Sequence, residues 1–157
     1  MIDKLLDNLV ALPARLLNPL QDVFLLGMRL FVGWQFFKAG LLKLQSWDST
    51  VFLFQYEYQV PLLSPTLAAV LGTVGELLFP ALLFVGLAGR LSALGLQAVN
   101  VMAVVAYAHV IFSEGFESSA SDHYLWGLML FAIAIVGPGR ISLDFILGRL
   151  RGKPEAV

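Results

Sequence analysis

One carboxylate, Glu76, stands inside the apolar run LGTVGELLFPALLF (71–84), and one guanidinium, Arg29, inside DVFLLGMRLFVGWQFFKAGLLKL. An ionisable side chain among such neighbours is costly to bury, and inside a membrane it is a functional candidate by default. Ala68, Gly72, Glu76 and Pro80 recur every fourth residue and form one stripe on a helix. Pro80 has no N–H to give the Glu76 carbonyl, so a free acceptor lies next to the carboxylate. Arg29, Gly33, Phe36, Gly40 and Lys43 share a face of an earlier helix, and Gln97, Asn100 and Tyr107 share one of a later helix. At about 1.5 Å per residue, Arg29, Glu76 and Asn100 lie about 12, 16 and 15 Å from the same membrane face. The spacing therefore predicts an Arg29–Glu76 ion pair, with Asn100 or Gln97 satisfying the leftover donors and acceptors. Such a pair either holds helix register and nothing more, or makes Glu76 a proton-exchanging group or half of a polar ligand site.

A second polar group falls nearer the other face: Lys38, Lys43, His109, Asp122, His123 and Trp126. Two histidines can relay protons or ligate haem or a metal. Without cysteine they do not close a metal site, so ligation at His109 and His123 is the weaker reading and no metal is assigned. Lys38 and Lys43 read most simply as snorkelling anchors, and Asp122 as an N-cap.

The elements that position these groups follow from composition. Of 157 residues, 59% are hydrophobic and 13% charged, with no cysteine. Soluble domains run nearer a quarter charged. The bilayer is the solvent that suits such a chain, and the length suits one domain, 1–157. Thiol catalysis, disulfides and iron–sulfur ligation are excluded. A net charge of −1 without basic stripes excludes a nucleic-acid partner. No nucleotide loop, hydrolase triad or zincin helix is present.

Four segments are apolar enough to cross, at about 22–43, 66–87, 90–112 and 123–138, each near the ~20 residues a span needs. The fold class expected is an all-α integral membrane four-helix bundle with interfacial amphipathic helices at both termini. The N-terminal helix has Ile2, Leu5, Leu6, Leu9 and Leu16 on one face, and Asp3 and Asp7 argue against a signal peptide. At the other end, Phe145, Ile146 and Leu150 would dip into lipid while Arg149 and Arg151 meet headgroups. Lys4, Arg15, Arg90, Arg140, Arg149, Arg151 and Lys153 outweigh Lys43, so both termini are expected in the cytoplasm. The loop QSWDSTVFLFQYEYQVPLLSP is crowded with aromatics, as a segment lying on the outer surface or a lid over a cleft would be.

The ordered set RLFVGWQFFKAGLLKL, GTVGELLFPALLFVGLAGR, HYLWGLML and GPGRISLD resembles the DoxX family of small four-helix bacterial membrane proteins over about residues 22–146. The matching positions are Arg29, Gly33, Gly40 and Lys43; Glu76; Gly86 and Arg90; His123 and Trp126; and Gly139, Ser142 and Asp144. The resemblance implies a bacterial inner-membrane location. It also implies an accessory or quinone-facing subunit of a redox or metal/oxidative-stress system, rather than a self-sufficient enzyme. Quinone contact stays open as the cofactor, since quinones need only apolar walls and a few polar groups. A small proton-coupled transporter using Glu76, or a scaffold recruiting a partner protein, are the alternatives. The bilayer, a redox or metal-stress partner and a second copy of the chain are the partners these readings call for.

Overall fold

A computed structural model describes residues 2–152, with the side chains of 2–8, Val10, Ala14 and Arg15 outside the description. The N-terminal amphipathic face, apart from Leu9 and Leu16, and Lys153 therefore lie outside the described residues. Among the described residues seven helices follow in order: α1 (Ile2–Gln45), α2 (Trp47–Tyr56), α3 (Pro65–Val85), α4 (Gly89–Ala106), α5 (Ala108–Ile111), α6 (Glu117–Val136) and α7 (Leu143–Leu150). Among the described residues there is no strand.

Among the described residues α3, α4 and α6 are long and apolar enough to cross a membrane. The expected division between a terminal helix and a first span is absent: α1 is continuous through Pro13 and Pro19. Each proline removes one backbone donor, and the Leu- and Ala-rich neighbours carry the helix across the gap. The third segment stops earlier than the predicted 112. Tyr107 leaves helical geometry (φ −121°, ψ 22°), and the Ala106 carbonyl accepts from Gln59 N–H at 2.8 Å. α6 begins before the predicted 123, at Glu117, so Asp122 lies inside the helix instead of capping it.

α1 packs on α3, α3 on α4, α4 on α6, and α6 returns to α1. Leu25, Met28, Val32, Phe36, Leu83, Ala93, Leu96, Leu130 and Ile133 meet between them as one core. The outward faces are apolar as well: Leu71, Leu91 and Leu128 are 52%, 71% and 68% exposed. Apolar surface on both sides of a helix is what a lipid surrounding tolerates and water does not.

The register of α1 on α3 decides the site. A Cβ on Gly33 would meet the Phe84 ring, and one on Gly40 would meet Leu77 and the Glu76 Cβ. Seven residues along α1 thus match seven back along α3, as antiparallel neighbours require. With no side chain of its own, Gly40 leaves the room that the Leu77 side chain and the Glu76 Cβ occupy. α1 ends at Gln45, level with the middle of α3, and α2 covers the remainder, with Phe54 against Gly72.

Candidate functional site

The ion pair that Glu76 makes is not the one the spacing predicts. Lys43 Nζ donates to both oxygens of Glu76, at 2.7 and 2.5 Å. Arg29 makes no contact with Glu76. Its Nη2 donates to the Ile141 carbonyl at 2.6 Å, while Nε and Nη1 have no hydrogen-bond partner. The reason is register. Arg29 lies against Gly86, ten residues and about 15 Å along the helix from Glu76. The spacing argument set the ends of both helices in one plane, whereas α1 runs on well past the end of α3.

Lys43 is also corrected. It is not a snorkelling anchor at the boundary but turns inward, because α1 ends beside the middle of α3. Thr50, buried on α2, donates its hydroxyl to the Lys43 carbonyl at 3.0 Å and closes that helix end. Glu76 is 8% exposed, so losing one partner strands the other as a buried charge, which is costly even where the intact pair adds little net stability.

Arg29 belongs instead to a knot at the α3–α4 turn. Gly86 ends α3 with φ +68°, a backbone state in which a Cβ would be strained, and Arg29 and Ser142 fill the space beside it. After Leu87, Ala88 and Gly89 open α4, and no side chain of their own caps it. Asp144 does so from α7: its Oδ1 accepts from Ala88 N–H at 2.8 Å and its Oδ2 from Gly89 N–H at 2.7 Å. A carboxylate at a helix N-terminus satisfies orphan donors and meets the positive end of the dipole. Arg29 is 1% exposed. Opposite, Arg90 donates to the Ala134 carbonyl at 2.9 Å, to the Ile135 carbonyl, and to the Val136 carbonyl at 3.1 Å, capping the end of α6. Asp22 Oδ1 accepts from Arg140 N–H at 2.7 Å, tying α1 to the same region.

Asn100 and Gln97 do not serve Arg29 or Glu76. Asn100, buried on α4, donates from Nδ2 to the His123 carbonyl at 3.1 Å, and its Oδ1 lies 2.7 Å from His123 Nδ1. His123 also meets the Trp126 ring at 4.9 Å, and Trp126 meets Phe36 edge-on at 5.4 Å. Gln97 Oε1 is buried without a partner. A groove of about 370 Å³ runs between α4 and α6 over Gln97, Asn100 and His123, walled by Val101, Val104, Leu128 and Phe131. His109 does not join His123. It is exposed beside the Tyr107 ring at 5.4 Å, at the end of an aromatic series through Tyr58 and Phe54. The expected outer site of Lys43, His109, His123 and Trp126 therefore divides in three.

Apolar outer faces, helices of crossing length and polar groups turned inward define an all-α membrane protein. The chain belongs to the DoxX family, whose model matches residues 24–109. A Haemophilus influenzae protein, described as uncharacterized, is 27% identical over 133 residues, covering 82% of this chain and 85% of that relative. No solved structure matches.

Proposed function

We propose that the chain is an accessory membrane subunit of a redox or metal/oxidative-stress system, presenting the α4–α6 groove to a quinone. In this reading α1 is the fourth span, both termini face the cytoplasm, and α7 lies in the interface. The observation that carries the reading is a mainly apolar groove that also holds the polar side chains of Gln97, Asn100, His123 and Tyr124. That is the chemistry a lipid-soluble ring with oxygen substituents needs: apolar walls for ring and tail, and a few convergent polar groups for orientation. Proton-coupled transport through Glu76 is the second reading, and its short bonds to Lys43 favour a structural role for that carboxylate instead.

Trp126 reports on the groove through His123. In nanodiscs, protein carrying Trp34→Phe and Trp47→Phe should show saturable quenching of Trp126 by a short-chain quinone. Filling the groove with Val104→Phe should abolish saturation while the protein stays folded. Quenching that rises linearly with quinone in both proteins would refute quinone contact at this groove.

A further inference from the structure

Gln97 carries a carboxamide that the rest of the chain leaves unused. Among the described residues nothing bonds to either end of it, and Oε1 is buried. Gln97 stands midway along α4, deep in the hydrocarbon, where water does not reach and lipid tails offer neither donor nor acceptor. A carboxamide both gives and takes, so it is satisfied by a group that does the same. Another carboxamide is one: Nε2 of each donates to Oε1 of the other. Such a pair is symmetric, and a two-fold axis along the membrane normal sets Gln97 of two copies at the same depth.

The surface around Gln97 has the shape that a second copy needs. Gly127 of α6 borders the amide: a Cβ there would stand 3.4 Å from Nε2 and 3.6 Å from Oε1. A missing side chain lets another helix approach closely inside a membrane. α6 is also the least covered crossing helix, with 11% of its apolar stretch buried against 39% for α3 and 33% for α4. Its free seam reads Tyr124, Leu128, Phe131 and Ile135, which are 73%, 68%, 56% and 59% exposed. Alternating steps of four and three residues are the spacing of a helix–helix seam. Tyr124, Leu128 and Phe131 form one wall of the groove that Gln97 lines. Ridge and hollow thus lie side by side on one face, as a self-complementary two-fold contact requires.

We propose that the chain forms a homodimer in the bilayer through its α4–α6 face, with the Gln97 carboxamides of two copies paired on the axis beside Gly127. To reach the axis the amide turns out of its buried position, and it breaks no hydrogen bond in doing so. Val104 lies two turns outward, about 10 Å from Gln97. Packed helices cross at an angle and diverge away from the crossing, so the outer part of the groove stays open and the quinone-facing reading is neither used nor displaced.

The test uses the full chain in liposomes, donor-labelled and acceptor-labelled protein mixed and then diluted with lipid. Energy transfer should follow a monomer–dimer curve. Gln97→Leu, which removes no bond within the protein, should raise the dissociation constant about tenfold, the worth of a strong interhelical polar pair in a membrane. The chain has no cysteine, so single cysteines report the face in contact. Leu128→Cys and Phe131→Cys should give disulfide-linked dimers under mild oxidation, whereas Leu71→Cys and Leu78→Cys on the outer face of α3 should not. Transfer no greater than random proximity at every protein density would overturn the dimer. Cross-linking through α3, with Gln97→Leu unchanged in affinity, would place the contact elsewhere and overturn this face. A purified chain that stays monomeric, while Leu128→Cys links to a different polypeptide in native membranes, would give the face to a partner helix and overturn the second copy.

Discussion

Replacing Lys43 and Glu76 singly and together measures what the pair contributes. Lys43 Nζ holds both Glu76 oxygens at 2.7 and 2.5 Å, with the side chains 19% and 11% exposed. Removing one partner leaves the other charged and enclosed, and such single losses cost about 3–5 kcal/mol. Lys43→Met and Glu76→Leu should therefore each destabilise by about 3 kcal/mol, the low end, because both groups keep some access to the surface. The double variant places two apolar side chains of similar size together and should lie within about 1 kcal/mol of the parent. The coupling is then about 5 kcal/mol, far above the additivity error of about 0.5 kcal/mol for distant sites. Reversible unfolding in mixed micelles, followed by helical circular dichroism, reads all four corners of the cycle. The control is Arg29→Met with Glu76→Leu, which should add without coupling, since a buried Arg29 lies at the α3–α4 turn. Coupling of Glu76 to Arg29 in place of Lys43 would refute the register of α1 on α3.

Further outcomes follow from the knot and the close helix contact. Asp144→Ala removes both acceptors from the first amides of α4 and should cost about 2 kcal/mol, read as a lower melting temperature, whereas Asp144→Asn should retain part of it. Gly40→Val drives a branched side chain into Leu77 and the Glu76 Cβ and should cost about 1–3 kcal/mol by overpacking. A spin-label distance between α1 and α3 should lengthen with it. Arg90→Leu leaves three carbonyls at the end of α6 without their side-chain donor and should speed amide exchange in its last turn, with α4 unaffected.

The helical class and the lipid solvent were legible because hydrophobicity is a property of windows, and it survives an error of a few residues at any boundary. The helical stripes place Glu76 and Asn100 facing other helices, and both bond across to one, whereas His123 is expected in a polar group at the outer face and bonds to Asn100 instead. Their partners were not legible. Matching Arg29 to Glu76 by depth needed the vertical offset between α1 and α3, and that offset is set by Gly33 on Phe84 and Gly40 on Leu77, contacts far apart in the chain. Lys43 looked like a boundary residue because the end of α1 was expected level with the end of α3, whereas α1 ends beside the middle of α3 and hands over to α2 after Gln45. The cap that Asp144 supplies to α4 joins positions separated by more than fifty residues and leaves no local trace beyond the Ser142 N-cap preceding it. His109 and His123 were joined by type alone, and α5 carries the former away to the Tyr107 ring.

Nitrogen-15 NMR of imidazole-labelled protein in nanodiscs, with His109→Gln leaving His123 as the one histidine, tests the Asn100–His123 pairing at the groove most directly. The expected spectrum has hydrogen on Nδ1 and a bare Nε2, and a short-chain quinone should move the His123 resonances. Hydrogen found on Nε2 instead, or His123 resonances indifferent to saturating quinone, would contradict the site.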